Sequence, residues 1–328
     1  MAPLDGALYA NLVRAVSEGG QQTLATVLDA SLLPSDCSAS VAPSTPNGTP
    51  TQNITACQPG VWVQATGDSL QIDGTPGLHS TAFGLLGGFD APIGDAFHAG
   101  IEAGVNQLNG NDAWGGRGTV NSGHAGLYTF GDAGPLVLSA TLDGGHANDL
   151  VDRQTGVGHA SSHLDGNTYA GGVQVAWPVQ ADTWSVVPKA GVLYQHQSMD
   201  GFAETISGTS PLAPAYAING ARSTYITLQP YTGVNFTRAF QSGEMTYVPS
   251  LEAGYRYDTR SSVPNIIATA QDGTMFVLPG NAMGRGLTTA GARITAQAHS
   301  WQVFLDYSGA FASGLRDNAL TFGFSKQF

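Results

Sequence analysis

From Gly60 to Phe328 the chain alternates apolar and polar residues with a period of two. Phe97, Ala99, Ile101, Ala103 and Val105 fall on one face, against His98, Gly100, Glu102, Gly104 and Asn106 on the other. Leu251, Ala253, Tyr255 and Tyr257 oppose Glu252, Gly254, Arg256 and Asp258 in the same way, and Trp301, Val303, Leu305 and Tyr307 oppose Gln302, Asp306 and Ser308. Successive side chains of a strand point to opposite faces, so this pattern suits a strand held between lipid and a polar lumen. It predicts about twelve strands, near 60–68, 78–90, 96–108, 118–130, 135–147, 166–178, 183–198, 222–239, 244–258, 285–297, 300–312 and 315–328. Each is close to the ~9–13 residues that a tilted membrane strand needs. Short turns at 91–95, 131–134, 179–182, 241–243 and 298–299 interleave with longer stretches at 109–117, 148–165, 199–221 and 259–284, which read as loops. The expected fold is an all-β membrane protein, a closed antiparallel transmembrane β-barrel whose even strand number returns both ends to one side.

Before Gly60 the texture changes twice. Leu8, Leu12, Val16, Leu24, Val27, Leu28 and Leu32 recur at three- and four-residue spacing, which predicts a helix over 7–33, interrupted at Gly19-Gly20 and ended by Pro34. Residues 34–59 carry Pro43, Pro46, Pro50 and Pro59 among small polar residues and read as a connector. The division is therefore 1–33, 34–59 and 60–328. Cys37 and Cys57 flank the connector, and in an exported protein such a pair is expected to form a disulfide.

Composition narrows the choice. Only 11% of the 328 residues are charged, against 44 glycines and a hydrophobic fraction of 42%. No run of eighteen apolar residues occurs, so membrane-spanning helices are not expected. The net charge of −12, with only 12 scattered Lys and Arg, excludes nucleic acid as a partner, because phosphate neutralisation needs clustered cations. Met1 is followed by Pro3 and Asp5 with no basic and apolar leader, so the chain reads as truncated at its N-terminus. Tyr128, Phe130, Trp177, Trp184, Phe236, Phe240 and Trp301 lie near the short turns, where an interfacial aromatic girdle is expected.

Candidate chemistry is sparse. The polar strand faces place Glu102, Asp143, Lys189, Glu252, Arg256, Arg293 and Asp306 in the lumen as a hydrated lining of both signs. His159 and His163 stand four apart beside Asp149, Asp152 and Asp165, but that spacing suits a metal only on a helix, and the segment reads as loop. No Gly-x-Ser-x-Gly elbow lies in a strand-to-helix context. No cofactor, metal or catalytic residue is expected, and the chain is not read as an enzyme.

Residues 60–328 resemble the autotransporter β-domain family. Val61-Trp62-Val63-Gln64-Ala65-Thr66-Gly67 is similar to its opening strand. Val186 to Tyr194, followed by Gly201-Phe202-Ala203-Glu204, resembles its Pro-x-Ala-Gly-x-x-Tyr strand and Asp-Gly-Phe loop. Leu305 to Asn318 resembles its penultimate hairpin, with Asn318 at the usual His, and Phe276 to Gly280 fits the segment before its tenth strand. Leu320, Phe322, Phe324 and Phe328 resemble the terminal strand that acts as the family's assembly signal, while Lys326 stands where an aromatic is usual.

The resemblance implies an outer-membrane translocator of type V secretion in a Gram-negative bacterium, with both barrel ends periplasmic and the helix of residues 7–33 plugging the pore against the luminal charges. Its implied partners are outer-membrane lipid and lipopolysaccharide, the barrel-assembly machinery, periplasmic chaperones and the protein's own passenger domain. The family's intramolecular cleavage uses an Asn pair in the helix, and residues 7–33 hold only Asn11, so that activity is not carried over. A stand-alone porin and a hydrolase built on the barrel loops are the alternatives.

Overall fold

The computed structural model describes residues 6–30, 59–94, 96–181, 183–260 and 263–328. Cys37 and Cys57, with most of the connector, lie outside the described residues. One helix, α1 (Ala7–Ala30), precedes twelve barrel strands. These are β1 (Gly60–Ile72), β2 (Leu78–Ile93), β3 (Phe97–Asn111), β4 (Arg117–Ala133), β5 (Leu136–Thr155), β6 (Gly158–Ala176), β7 (Trp184–Met199), β8 (Ser223–Arg238), β9 (Met245–Tyr257), β10 (Gly286–Ala298), β11 (Trp301–Ala312) and β12 (Leu315–Gln327). Each pairs antiparallel with its neighbour in sequence, and β1 pairs with β12 from Gly60↔Gln327 to Ile72↔Leu315, which closes the cylinder.

The faces are sorted as the alternation requires. Ile101, Val105, Leu127, Leu142, Val173, Leu251, Ile294, Leu320 and Phe322 all point outward, and Leu142 keeps 68% of its surface exposed. In water such a band would be strongly unfavourable, at about 25 cal/mol per Å² of exposed apolar surface. It is explained by lipid. Inward positions are polar or small, with Gln64, Glu102, Gln174, Lys189, Gln195, Thr227, Gln229, Arg256 and Thr321 buried.

Parity corrects one expectation. Leu127 faces out, so Tyr128 and Phe130 face in: Tyr128 is buried, donates to Asp90 at 3.0 Å and accepts from Trp62 Nε1 at 2.7 Å. They form an aromatic floor in the lumen instead of a girdle. Trp177, Trp184, Phe236, Phe240 and Trp301 are exposed on the outside near the short turns.

Three stretches read as loops are folded. Residues 148–165 continue β5 and β6 as a hairpin that turns at Gly156-Val157. Its inner residues Val151, Ala160 and Leu164 are buried. The connections after β7 and β9 also contribute short strands, at 202–203, 218–220, 265–270 and 275–279, which pair across the mouth as a separate four-stranded sheet. This lid and the walls around it form an apolar cluster around the start of α1, with Leu8, Tyr9 and Leu12 against Phe202, Ile218, Ile266, Leu278 and Met283.

The helix itself is continuous. The expected interruption at Gly19-Gly20 does not occur, although glycine in a helix interior costs about 1 kcal/mol relative to alanine. Confinement in the lumen outweighs that cost. A β-carbon on Gly20 would lie 2.7 Å from Gln195 Nε2, so the glycine brings the helix backbone close to the wall.

Substituting Leu142 by Arg places a cation about midway along the lipid-facing wall. The expected loss is about 2–4 kcal/mol of stability in bilayers, read as a lower urea midpoint for the barrel in vesicles. An unchanged midpoint would contradict a lipid-facing Leu142.

Candidate functional site

The site is the interface between α1 and the lumen. At the mouth, Tyr9 donates to Glu204 at 2.8 Å, accepts from Ser162 at 2.7 Å and stacks on Phe202 with centroids 4.2 Å apart. Arg153 grips the same carboxylate through Nε at 2.9 Å and Nη2 at 2.6 Å, and the Ile218 amide donates to it at 3.0 Å. Asn11 donates to Asn281 Oδ1 at 2.9 Å and accepts from its amide at 2.8 Å. The lid is therefore fixed to the helix by a fully engaged carboxylate as well as by packing.

Half-way along, Arg14 bridges Glu18 one turn on, the Tyr225 hydroxyl of β8, and Asp258 at 3.4 Å. Glu18 also faces Arg256 of β9 at 3.7 Å. Arg14, Glu18 and Asp258 are essentially inaccessible, so their charges depend on one another for solvation. Beside them Ser17 donates to Gln195 at 3.0 Å and Gln21 to Thr227 at 2.7 Å.

Toward the short-turn end, Asp29 accepts from Lys189 Nζ at 2.7 and 2.8 Å, and Lys189 also meets Glu252 at 2.9 Å. Gln22 donates to Ser308 at 3.0 Å, and Gln174, held by the Tyr231 hydroxyl at 2.7 Å, donates to the Leu28 carbonyl at 3.3 Å. Val27 rests on the aromatic floor with Leu86 and Tyr128. Clefts flank the helix, one lined by Arg293, Asp306 and Glu252, the other by Asp68, His124 and Asp143.

The seven luminal residues named from the sequence divide by wall. Lys189, Glu252 and Arg256 gather on the side that receives Asp29 and Glu18. Arg293 and Asp306 pair with each other at 3.1 Å. Glu102 and Asp143 lie across the lumen, where Thr141 donates to Glu102 at 3.4 Å and His124 meets Asp143 at 2.8 Å. Leu320, Phe322 and Phe324 share the exposed outer face of β12, Phe328 is exposed just past its end, and Lys326 Nζ lies 5.3 Å from the centroid of the Phe328 ring.

Tyr9, Arg14, Glu18, Arg153 and Tyr225 carry no role in the sequence reading, which places Asp258 on a polar strand face and Glu204 in a family-like loop without a partner for either. Their partners lie up to 244 residues apart, and apart from the four-residue spacing of Arg14 and Glu18 no local pattern signals them. His159 and His163 fall on β6, where residues four apart are separated by roughly 13 Å. They form no joint site, and no cluster of metal ligands occurs among the described residues.

A closed barrel with an apolar outer band and a polar helix along its lumen defines an outer-membrane β-barrel of the helix-filled kind. The autotransporter beta-domain family model matches residues 61–308, and the chain belongs to that family. It is an outer-membrane translocator barrel of type V secretion, and family membership implies an attached passenger domain. The translocator domain of the autotransporter NalP from Neisseria meningitidis is similar in fold, with a TM-score of 0.73 at 19% identity over 98% of this chain and 99% of that one. The beta domain of the Bordetella autotransporter BrkA gives 0.63 at 17% identity, covering 83% and 100%. The transport unit of AIDA-I from Escherichia coli gives 0.56 at 14%, covering 92% and 99%. No curated protein matches the chain.

Replacing Lys189 by Met strips Asp29 and Glu252 of their shared cation inside the lumen. We expect about 3–5 kcal/mol of destabilisation, measured as a lower midpoint for the heat-induced gel-mobility shift. Adding Asp29→Asn and Glu252→Gln should restore most of it. Equal stability of the single and triple variants would argue against this ion cluster.

Proposed function

We propose that α1 is the segment left in the pore after export of a passenger, and that it closes the translocator as a plug. One observation carries this reading: the helix starts at the long-loop mouth, between Phe202 and Leu278, and ends at the short-turn end beside Lys189 and the aromatic floor. Any chain preceding the helix thus leaves on the long-loop side, while β1 starts on the other. This orientation is what a translocator needs if the long loops face the cell surface and both barrel ends face the periplasm.

The three parts then have distinct tasks. Residues 1–33 plug, 34–59 connect with Cys37 and Cys57 as an oxidised pair, and 60–328 span the membrane. Glu102, Asp143, Lys189, Glu252, Arg256, Arg293 and Asp306 hydrate the lumen, and two of them, Lys189 and Arg256, hold the helix through Asp29 and Glu18. The exposed face of Leu320, Phe322, Phe324 and Phe328 supports a role as the signal read by the barrel-assembly machinery, with periplasmic chaperones carrying the chain there and lipopolysaccharide surrounding the finished barrel. Export on this reading needs no nucleophile, metal or cofactor. Binding energy between helix and wall holds the final state.

Deleting residues 1–59 should raise single-channel conductance in planar bilayers severalfold over the intact chain. Because every barrel strand pairs on both sides without α1, the deleted form is expected to keep its heat-modifiable gel mobility. A folded deletion barrel with unchanged conductance would refute the plug.

A further inference from the structure

The barrel wall is not uniform in height. β5 and β6 run for 20 and 19 residues, while β9, β10, β11 and β12 have only 13, 13, 12 and 13. A membrane strand needs ~9–11 residues, so the loop ends of this low wall reach only the headgroup zone. Aromatic rings pave its outer surface there. Tyr255 lies across Gly286, where a β-carbon would come within 2.0 Å of its hydroxyl, and Phe311 covers Gly309 in the same manner at 2.8 Å. Tyr257 and Tyr307 stand exposed beside them.

Three arginines rise from this paving. The Arg285 guanidinium sits 5.1 Å from the centroid of the exposed Tyr257 ring, anchored by Nε to the Asp258 carbonyl at 2.8 Å. Arg316 is on the outward face of β12, in register with Phe311, and Arg260 is exposed just past β9. From strand spacing, Arg316 and Arg285 are roughly 10–15 Å apart. None of the three meets a carboxylate at ion-pair distance among the described residues. On the tall side, by contrast, Arg222 is paired with Asp200 at 2.7 Å and Arg153 with Glu204. Arginine with free donors over a desolvating ring is suited to bidentate phosphate recognition, and the tyrosines below it suit the start of acyl chains.

We infer that the loop-end rim of the β9–β12 wall, through Arg260, Arg285 and Arg316, binds the phosphate groups of an outer-leaflet glycolipid whose acyl chains lie on Tyr255, Tyr257, Tyr307 and Phe311. This rests on the orientation given above, with the long loops outward. A headgroup carrying two phosphates can span Arg285 and Arg316 at once, and the site lies on the side opposite the tall β5–β6 hairpin.

The test uses the full chain refolded in detergent and titrated with bisphosphorylated lipid A or its dephosphorylated form, with bound lipid read by native mass spectrometry. The protein should retain the phosphorylated lipid about tenfold more tightly, and the R260Q/R285Q/R316Q variant should lose that preference while binding the dephosphorylated lipid as before. R285K, which keeps the charge but loses the planar fork, should fall between them. Unaltered heat-modifiable mobility reports that each variant is folded. Retention of the preference by the triple variant, or its absence in the parent, overturns the site. If Arg238→Gln with Lys326→Gln at the short-turn end removes the preference instead, the orientation itself is wrong.

Discussion

Every strand of this protein depends on one hydrogen-bonded seam, the pairing of β1 with β12 along their full length from Gly60↔Gln327 to Ile72↔Leu315. In hydrocarbon no water can satisfy an open edge, and each unpaired backbone group would cost several kcal/mol. The first and last strands therefore either meet or leave two rows of donors and acceptors stranded. Since the partner of β1 is β12, the cylinder cannot close until all twelve strands are present. Closure also fixes parity, because a slip of one residue would turn every lipid-facing Leu and Phe into the lumen.

Closure creates a second requirement, since a polar interior must be filled by water or by protein. The helix fills it with groups that have no adequate alternative partner. Lys189 carries two carboxylates around it, one from α1 and one from β9. Arg14 and Glu18 are buried on the helix, and Tyr225, Asp258 and Arg256 complete their shell from the wall. With the helix in place, removing one partner leaves buried charge without its counterpart, which is more costly than never having buried it. Polar specificity thus holds an element that apolar packing alone would secure only at its ends. Val16, Gly19 and Gln22 in mid-helix remain half-open to the flanking clefts.

The barrel was legible because lipid imposes period-two sorting on each strand separately, so Phe97 to Asn106 can be read without knowing its neighbours. Nearness to a turn suggests a girdle position for Tyr128 and Phe130, but parity decides, because Leu127 between Gly126 and Tyr128 fixes the direction of each ring. The lid was illegible for a different reason. Its strands are two to six residues long and pair between connections far apart in sequence, as Gly220↔Ala268 does. Half of the luminal network was visible as charges on polar faces. Its other half sits on α1 and in the connections, where Glu204 or Arg14 looks like any solvated charge until the helix is threaded through the cylinder.

The two ends of the helix are held by different physics, and the difference follows from topology. At the short-turn end the wall is built of paired strands before any helix is needed, and Lys189, Gln174 and Tyr128 project from a fixed frame. At the mouth the frame is incomplete without the helix. The connections after β7 and β9 are joined by the 218–220 and 265–270 pairing and by two flanking hydrogen bonds, from the Ala221 amide to the Ile267 carbonyl at 2.8 Å and from Gln271 to the Ala217 carbonyl at 3.3 Å, and their buried residues Phe202, Ile218, Ile266 and Leu278 find their apolar cover in Leu8, Tyr9 and Leu12. With the lumen empty, those side chains would face water at a cost of about 1.5–3 kcal/mol each. The lid sheet is therefore stable as drawn only when α1 lies beneath it. The loop-end closure of this barrel is in that sense a consequence of where the helix stops, with Tyr9, Glu204 and Arg153 setting the stopping point.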